Sequence, residues 1–242
     1  MFPIWFHCLA IAFVSLGFLC AVIIVIDVVR RPQPMGIMNI VWPVTALFGT
    51  VPLLVFYLRA GRSPGAETAD GHHEHHHHMK TSTPRALAVA KGALHCGSGC
   101  TLGDIAAEWL AFMVPSVAIT FGWQWLFTEK MFAVWVLDFL FAFILGIVFQ
   151  YFAIAPMRNL SVGDGVMTAL KADALSLIAW QIGMYGGMAL LQFVIFPAQF
   201  GVRAQVDSAE FWFAMQIAMI CGFVTSYPIN WYLVSSGIKE PM

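Results

Sequence analysis

The sequence predicts an all-α fold, a polytopic membrane protein whose six transmembrane helices form a compact bundle. Three observations predict it. Sixty per cent of the residues are hydrophobic and 10% are charged, whereas charged residues make up about a quarter of a soluble domain. The apolar residues gather into six runs, each long enough for the roughly 20 residues that a bilayer crossing needs. The runs are separated by arginines, prolines or short polar turns.

The first span covers 4–29 and stops at Arg30-Arg31-Pro32. No basic stretch precedes it and its apolar run is too long for a signal-peptide core, so it is expected to stay as a span. The second covers 35–58 and ends at Arg59 and Arg62. These two helices form a first unit, 1–59. Residues 60–90 read as a flexible linker holding His72, His73, His75, His76, His77 and His78. Imidazoles on a mobile strand bind zinc, copper and nickel alike, so this run is expected to buffer metal at the periphery.

Residues 91–242 are expected to form a core of four transmembrane helices with a His-Cys loop at its start. The loop is Lys91-Gly-Ala-Leu-His95-Cys96-Gly97-Ser98-Gly99-Cys100. Its glycines are read as helix breakers. A helix restarts at Thr101, whose hydroxyl caps it, with Asp104 three residues on. The third span, 102–126, carries Pro115, which should kink it. After Thr128-Glu129-Lys130 the fourth span covers 131–155 and holds Asp138 and Gln150. Arg158 and the capping-box pattern Ser161-Val-Gly-Asp164 lead to the fifth span, 169–196. That span carries Lys171, Asp173, Gln181 and Gln192, with Gly183 and Gly187 at the spacing that lets helices approach closely. This pair also offers a face for a homo-oligomer. The sixth span, 209–233, holds Pro228 and Asn230.

Lys and Arg divide unequally between the two sides. Arg59, Arg62, Lys80, Arg85, Lys91, Arg158, Lys171 and Lys239 fall on one, and Arg30, Arg31, Lys130 and Arg203 on the other. Eight against four places both termini and the His-rich linker in the cytoplasm. The Arg30-Arg31 pair argues the other way.

The polar residues carry the chemistry. His95, Cys96 and Cys100 are expected to close a soft-metal site at the mouth of the third span. Cys100, Asp104 and Glu108 stand four residues apart and share a helical face. Two adjacent carboxylates share a proton or bind a cation. The alternative is that Asp104 only caps a helix and the cysteines fill core space. Asp138 lies about seven residues into its span, where a charge costs about 3 kcal/mol, and so marks a pathway or proton relay. Asp173 is a second relay candidate or an interfacial residue. Met215, Met219 and Cys221 form a candidate soft-ligand stripe, or ordinary packing. His7-Cys8 is a similar pair. No residue is nominated as catalytic.

Several classes are excluded. A net charge of −1 leaves no basic face for nucleic acid. No Gly-x-x-x-x-Gly-Lys loop is present, so no nucleotide is expected as a partner. Five cysteines, at 8, 20, 96, 100 and 221, are too scattered for a disulfide framework.

The stretch Lys171-Ala-Asp173-Ala-Leu-Ser-Leu-Ile-Ala-Trp-Gln-Ile-Gly183-Met-Tyr-Gly186, preceded by Ala155-Pro-Met-Arg158, resembles a bacterial membrane family catalogued as domain of unknown function 4396. The segments Leu94–Asp104, Tyr227-Pro-Ile-Asn-Trp231 and Gly237-Ile-Lys-Glu240 resemble it too. The resemblance covers roughly 90–242 and implies a shared membrane fold without an assigned activity.

The leading expectation is a bacterial inner-membrane protein that binds and transports a transition metal ion, copper or zinc. In it His95, Cys96 and Cys100 capture the ion, while Asp104, Glu108 and Asp138 carry it or its counter-protons. One alternative is a membrane thiol oxidoreductase using Cys96 and Cys100, although their spacing is one residue longer than the usual redox motif. Another is a non-catalytic metal-sensing or accessory subunit.

Overall fold

The computed structural model describes residues 1–63, 84–158 and 161–240, so the histidine run at 72–78 lies outside the described residues. The helices in chain order are α1 (Ile4–Arg30), α2 (Met38–Phe56), α3 (Arg85–Met113), α4 (Pro115–Thr120), α5 (Lys130–Arg158), α6 (Val162–Ala189), α7 (Phe196–Phe200) and α8 (Ala209–Ser235). Wider π-type turns at Tyr57–Gly61 and Leu190–Ile195 prolong α2 and join α6 to α7. Among the described residues no strand forms.

Five helical stretches are long and apolar enough to cross a membrane: Ile4–Arg30, Met38–Gly61, Lys130–Ile154, Val162–Phe200 and Ala209–Ser235. α3 is 29 residues long but too polar to join that set. The polarity is turned outside in. Large apolar side chains such as Phe18, Leu19, Val22, Ile26, Ile144 and Ile182 are exposed, while His95, Asp104, Asp138, Asp173 and Gln192 are buried. Against lipid that arrangement is the favourable one, because apolar groups face hydrocarbon and polar groups find protein. This is a membrane protein.

α3 is the axis of the bundle. Gly92 to Thr101 are ten consecutive buried residues, and a helix buried at ten successive positions is covered on every side. Its neighbours are α2, α5, α6 and α8, while α1 packs outside against α2 and α8.

The expected His-Cys loop is therefore a correction: residues 91–100 lie inside α3, which starts at Arg85, within the expected linker. The glycines serve helix packing. A Cβ on Gly99 would stand 2.7 Å from Gly146 Cα of α5. One on Gly97 would enter the Trp180 ring of α6, and one on Gly103 would enter the Ala142 backbone of α5. The intrahelical cost of glycine, about 1 kcal/mol each, is offset by the close approach it allows. Thr101 accordingly caps nothing; its hydroxyl donates to Gly97 O at 2.7 Å.

Two other expectations change. Pro115 ends α3 rather than kinking it, since Val114 leaves the helical region (φ −126°, ψ 80°), which a following proline disfavours. The expected third span 102–126 is thus the end of α3, the short α4 and a loop. Gly183 and Gly187 are occupied within the chain, packed against Thr225, Cys221 and Ala218 of α8. The pair thus serves helix packing within the chain. By contrast the Ser161 cap forms as expected, its hydroxyl accepting from the Asp164 N–H at 3.3 Å.

Candidate functional site: a buried polar file along α3

Cys96, Cys100, Asp104 and Glu108 recur every fourth residue and are all buried. At 1.5 Å per residue they mark a file about 18 Å long. Both cysteines are free, buried thiols one helical turn apart. Gln181 of α6 donates from Nε2 to Asp104 Oδ1 at 3.2 Å. Asp104 Oδ2 has no partner within the described residues. Opposite, α5 contributes Asp138, wholly buried, with neither carboxyl oxygen partnered among the described residues. It lies within electrostatic reach of Glu108 and Asp104. Burying a carboxyl without a donor costs on the order of 1–3 kcal/mol, so this cluster stands out.

Glu108 opens the file at one end. It lines a cleft of about 150 Å³ together with Glu129, Lys130, Arg203, Gln205 and Phe211. Arg203 pairs with Glu129 at 2.7 Å, and both are partly exposed. Lys130 donates to Ala111 O at 3.0 Å and interacts electrostatically with Glu108.

His95 stands at the other end. It is fully buried, and neither ring nitrogen has a partner among the described residues. Phe149 packs edge-on to its ring at 6.3 Å, and Asp173 and Lys239 lie within electrostatic reach. Asp173 is in the protein interior, held by Lys239 Nζ at 2.5 Å, which replaces the interfacial reading.

A family model covers residues 87–239, well over half of the chain, and takes in this file from end to end. Its description is Domain of unknown function (DUF4396). The chain belongs to that family. No curated protein and no solved structure matches the chain. The DUF4396 region starts with α3 and ends at Lys239, leaving α1 and α2 outside it.

The expected residues are only partly brought together. Among the described residues, no three His, Cys, Asp or Glu side chains converge as a metal-holding group. The cause is helical continuity: His95 and Cys96 diverge by about 100° on one helix, where a loop would have let them close on one point. Met219 faces α3, with Thr101 Oγ1 3.7 Å from its Sδ, and Met215 lines the same pocket as Met219. Cys221 instead faces Gly187 of α6, so the three make no single stripe. His7 bonds Glu210 at 2.8 Å, and Cys8 is exposed. Sequence reasoning missed Lys239 and Gln181 as partners of the two aspartates. A lone lysine four residues past a helix end gives no local sign of burial.

Proposed function

We propose that this protein carries a small cation across a membrane along the α3 file, and that its cargo is a transition metal ion of the Cu(I) or Zn(II) class. The observation that supports the reading is the double position of Glu108, which lines the outer cleft and begins the buried row of Asp138, Asp104, Cys100 and Cys96. Thiols select soft ions and carboxylates neutralise charge. The ligands come one or two at a time, which suits a passing ion better than a resident one. Metal binding to thiols releases protons, which Asp104 and Asp138 would pass along the file. Asp138 is the relay in this scheme.

In this reading α3 is the sixth crossing helix, its polar residues shielded from lipid by α2, α5, α6 and α8. The membrane is the bacterial inner membrane, with both termini and the His-rich linker cytoplasmic on the Lys/Arg division. The linker histidines buffer the ion.

Metal uptake into liposomes holding the purified protein, read with an enclosed chelating dye, tests this. Cys96→Ser/Cys100→Ser should abolish uptake, and Cys20→Ser should leave it unchanged. Uptake indifferent to the thiol pair would overturn the metal reading. A disulfide between Cys96 and Cys100 that forms and breaks during turnover without metal would favour the oxidoreductase.

A further inference from the structure

The segment after α8 folds back and buries a cation between α3, α6 and α8. α8 ends at Ser235, and Gly237 reverses the chain with φ +72°, a left-handed value that glycine takes freely. The N–H groups of Ile238 and Lys239 both donate to Leu233 O, at 3.0 and 3.1 Å. They close the helix end in the manner of a glycine C-cap. The reversal turns Lys239 inward, and its side chain is 1% exposed.

Its ammonium group meets three oxygens. Asp173 Oδ1 of α6 accepts at 2.5 Å, Asn230 Oδ1 of α8 at 2.8 Å and Gly92 O of α3 at 3.4 Å. Asn230 is fixed in this orientation by its own amide, which donates to Ser176 Oγ at 2.6 Å and Ser226 O at 3.0 Å. Among the described residues, Asp173 Oδ2 and both nitrogens of His95 remain buried and unpartnered beside it. A fourth acceptor is therefore at hand.

Three helices thus converge on one point with oxygen acceptors, one of them a carboxylate. Such a donor set suits a bare cation whose hydration shell it replaces. One carboxylate balances one positive charge, whereas a divalent ion would leave an excess charge in the membrane interior, which is costly. We propose that Asp173, Asn230 and the Gly92 carbonyl form a binding site for a monovalent cation, an alkali ion or ammonium, which Lys239 closes as a tethered substitute. Withdrawal of the tail opens the site and return of the tail expels the ion. This goes beyond the α3 file and uses none of Cys96, Cys100, Asp104, Glu108 or Asp138.

Equilibrium binding of radioactive rubidium to the purified full chain tests it. Lys239→Met should gain saturable rubidium binding, displaced by excess potassium. Wild type and Lys239→Met/Asp173→Asn should show none, and Lys239→Met/Asp138→Asn should bind like Lys239→Met. A second readout guards against instability of the variant. The melting temperature of Lys239→Ala should rise to a plateau with potassium or methylammonium chloride, and not with N-methylglucamine chloride at equal ionic strength. Wild type should not respond. A folded Lys239→Met that binds no rubidium overturns the site. So does equal binding by the Asp173→Asn double variant, or a Lys239→Ala chain that stays unfolded in potassium and methylammonium alike.

Discussion

Replacing Gly99 with alanine separates a packed helix from a loop. A Cβ there would stand 2.7 Å from Gly146 Cα and 2.8 Å from Gly146 N, both backbone atoms that cannot rotate away. To reach ordinary contact at 3.4 Å, α3 and α5 must part by roughly 0.7 Å. Overpacking of this kind costs about 1–3 kcal/mol, while alanine returns about 1 kcal/mol of helix propensity. The net expectation is a loss of about 0–2 kcal/mol. Gly186→Ala is the control, because nothing lies within 4 Å of its added Cβ on the exposed side of α6. There the propensity gain stands alone, about 0.5–1 kcal/mol of stabilisation. Reversible unfolding in mixed micelles, followed by circular dichroism, measures both. If Gly99→Ala stabilises as much as Gly186→Ala, the close contact of α3 with α5 is refuted.

Asp138→Asn should keep the fold and be at least as stable as wild type, since it removes a buried carboxyl that has no donor, and micellar melting checks this. Gln192→Ala should destabilise by about 1–3 kcal/mol, because its amide both donates to Ala204 O and accepts from Ala204 N and so clamps the loop before α8. Tyr57→Phe should cost about 1 kcal/mol through loss of the hydroxyl bond to Asp27 Oδ2 at 2.8 Å, read in the same unfolding assay. A cysteine at Ala69 in a thiol-free background should resist an impermeant reagent applied to intact spheroplasts, and ready labelling would invert the orientation.

The apolar helices were legible in the sequence because each is a local property. The expected fourth and sixth spans, 131–155 and 209–233, fall within three residues of α5 and α8. Asp138 was legible for the same reason, as a charge in an apolar run. The expected fifth span is α6, which starts seven residues early, since Gly163, Asp164 and Gly165 hide its first turn from any hydropathy window. The α3 stretch was misread because a glycine means opposite things in water and in a membrane bundle. Gly97, Gly99 and Gly103 are explained only by Trp180, Gly146 and Ala142, which lie far along the chain. The Asp173–Lys239 pair, 66 residues apart, is likewise a product of the fold alone.

On the proposed function a cation passes along α3 with Asp138 as the relay. Liposomes holding the purified chain, with metal uptake and internal pH recorded together under an imposed pH gradient, test it most directly. Wild type is predicted to take up metal with a matching pH change, and Asp138→Asn, of equal helicity, is predicted to lose both. Uptake by Asp138→Asn at the wild-type rate, with its pH change intact, would contradict the account.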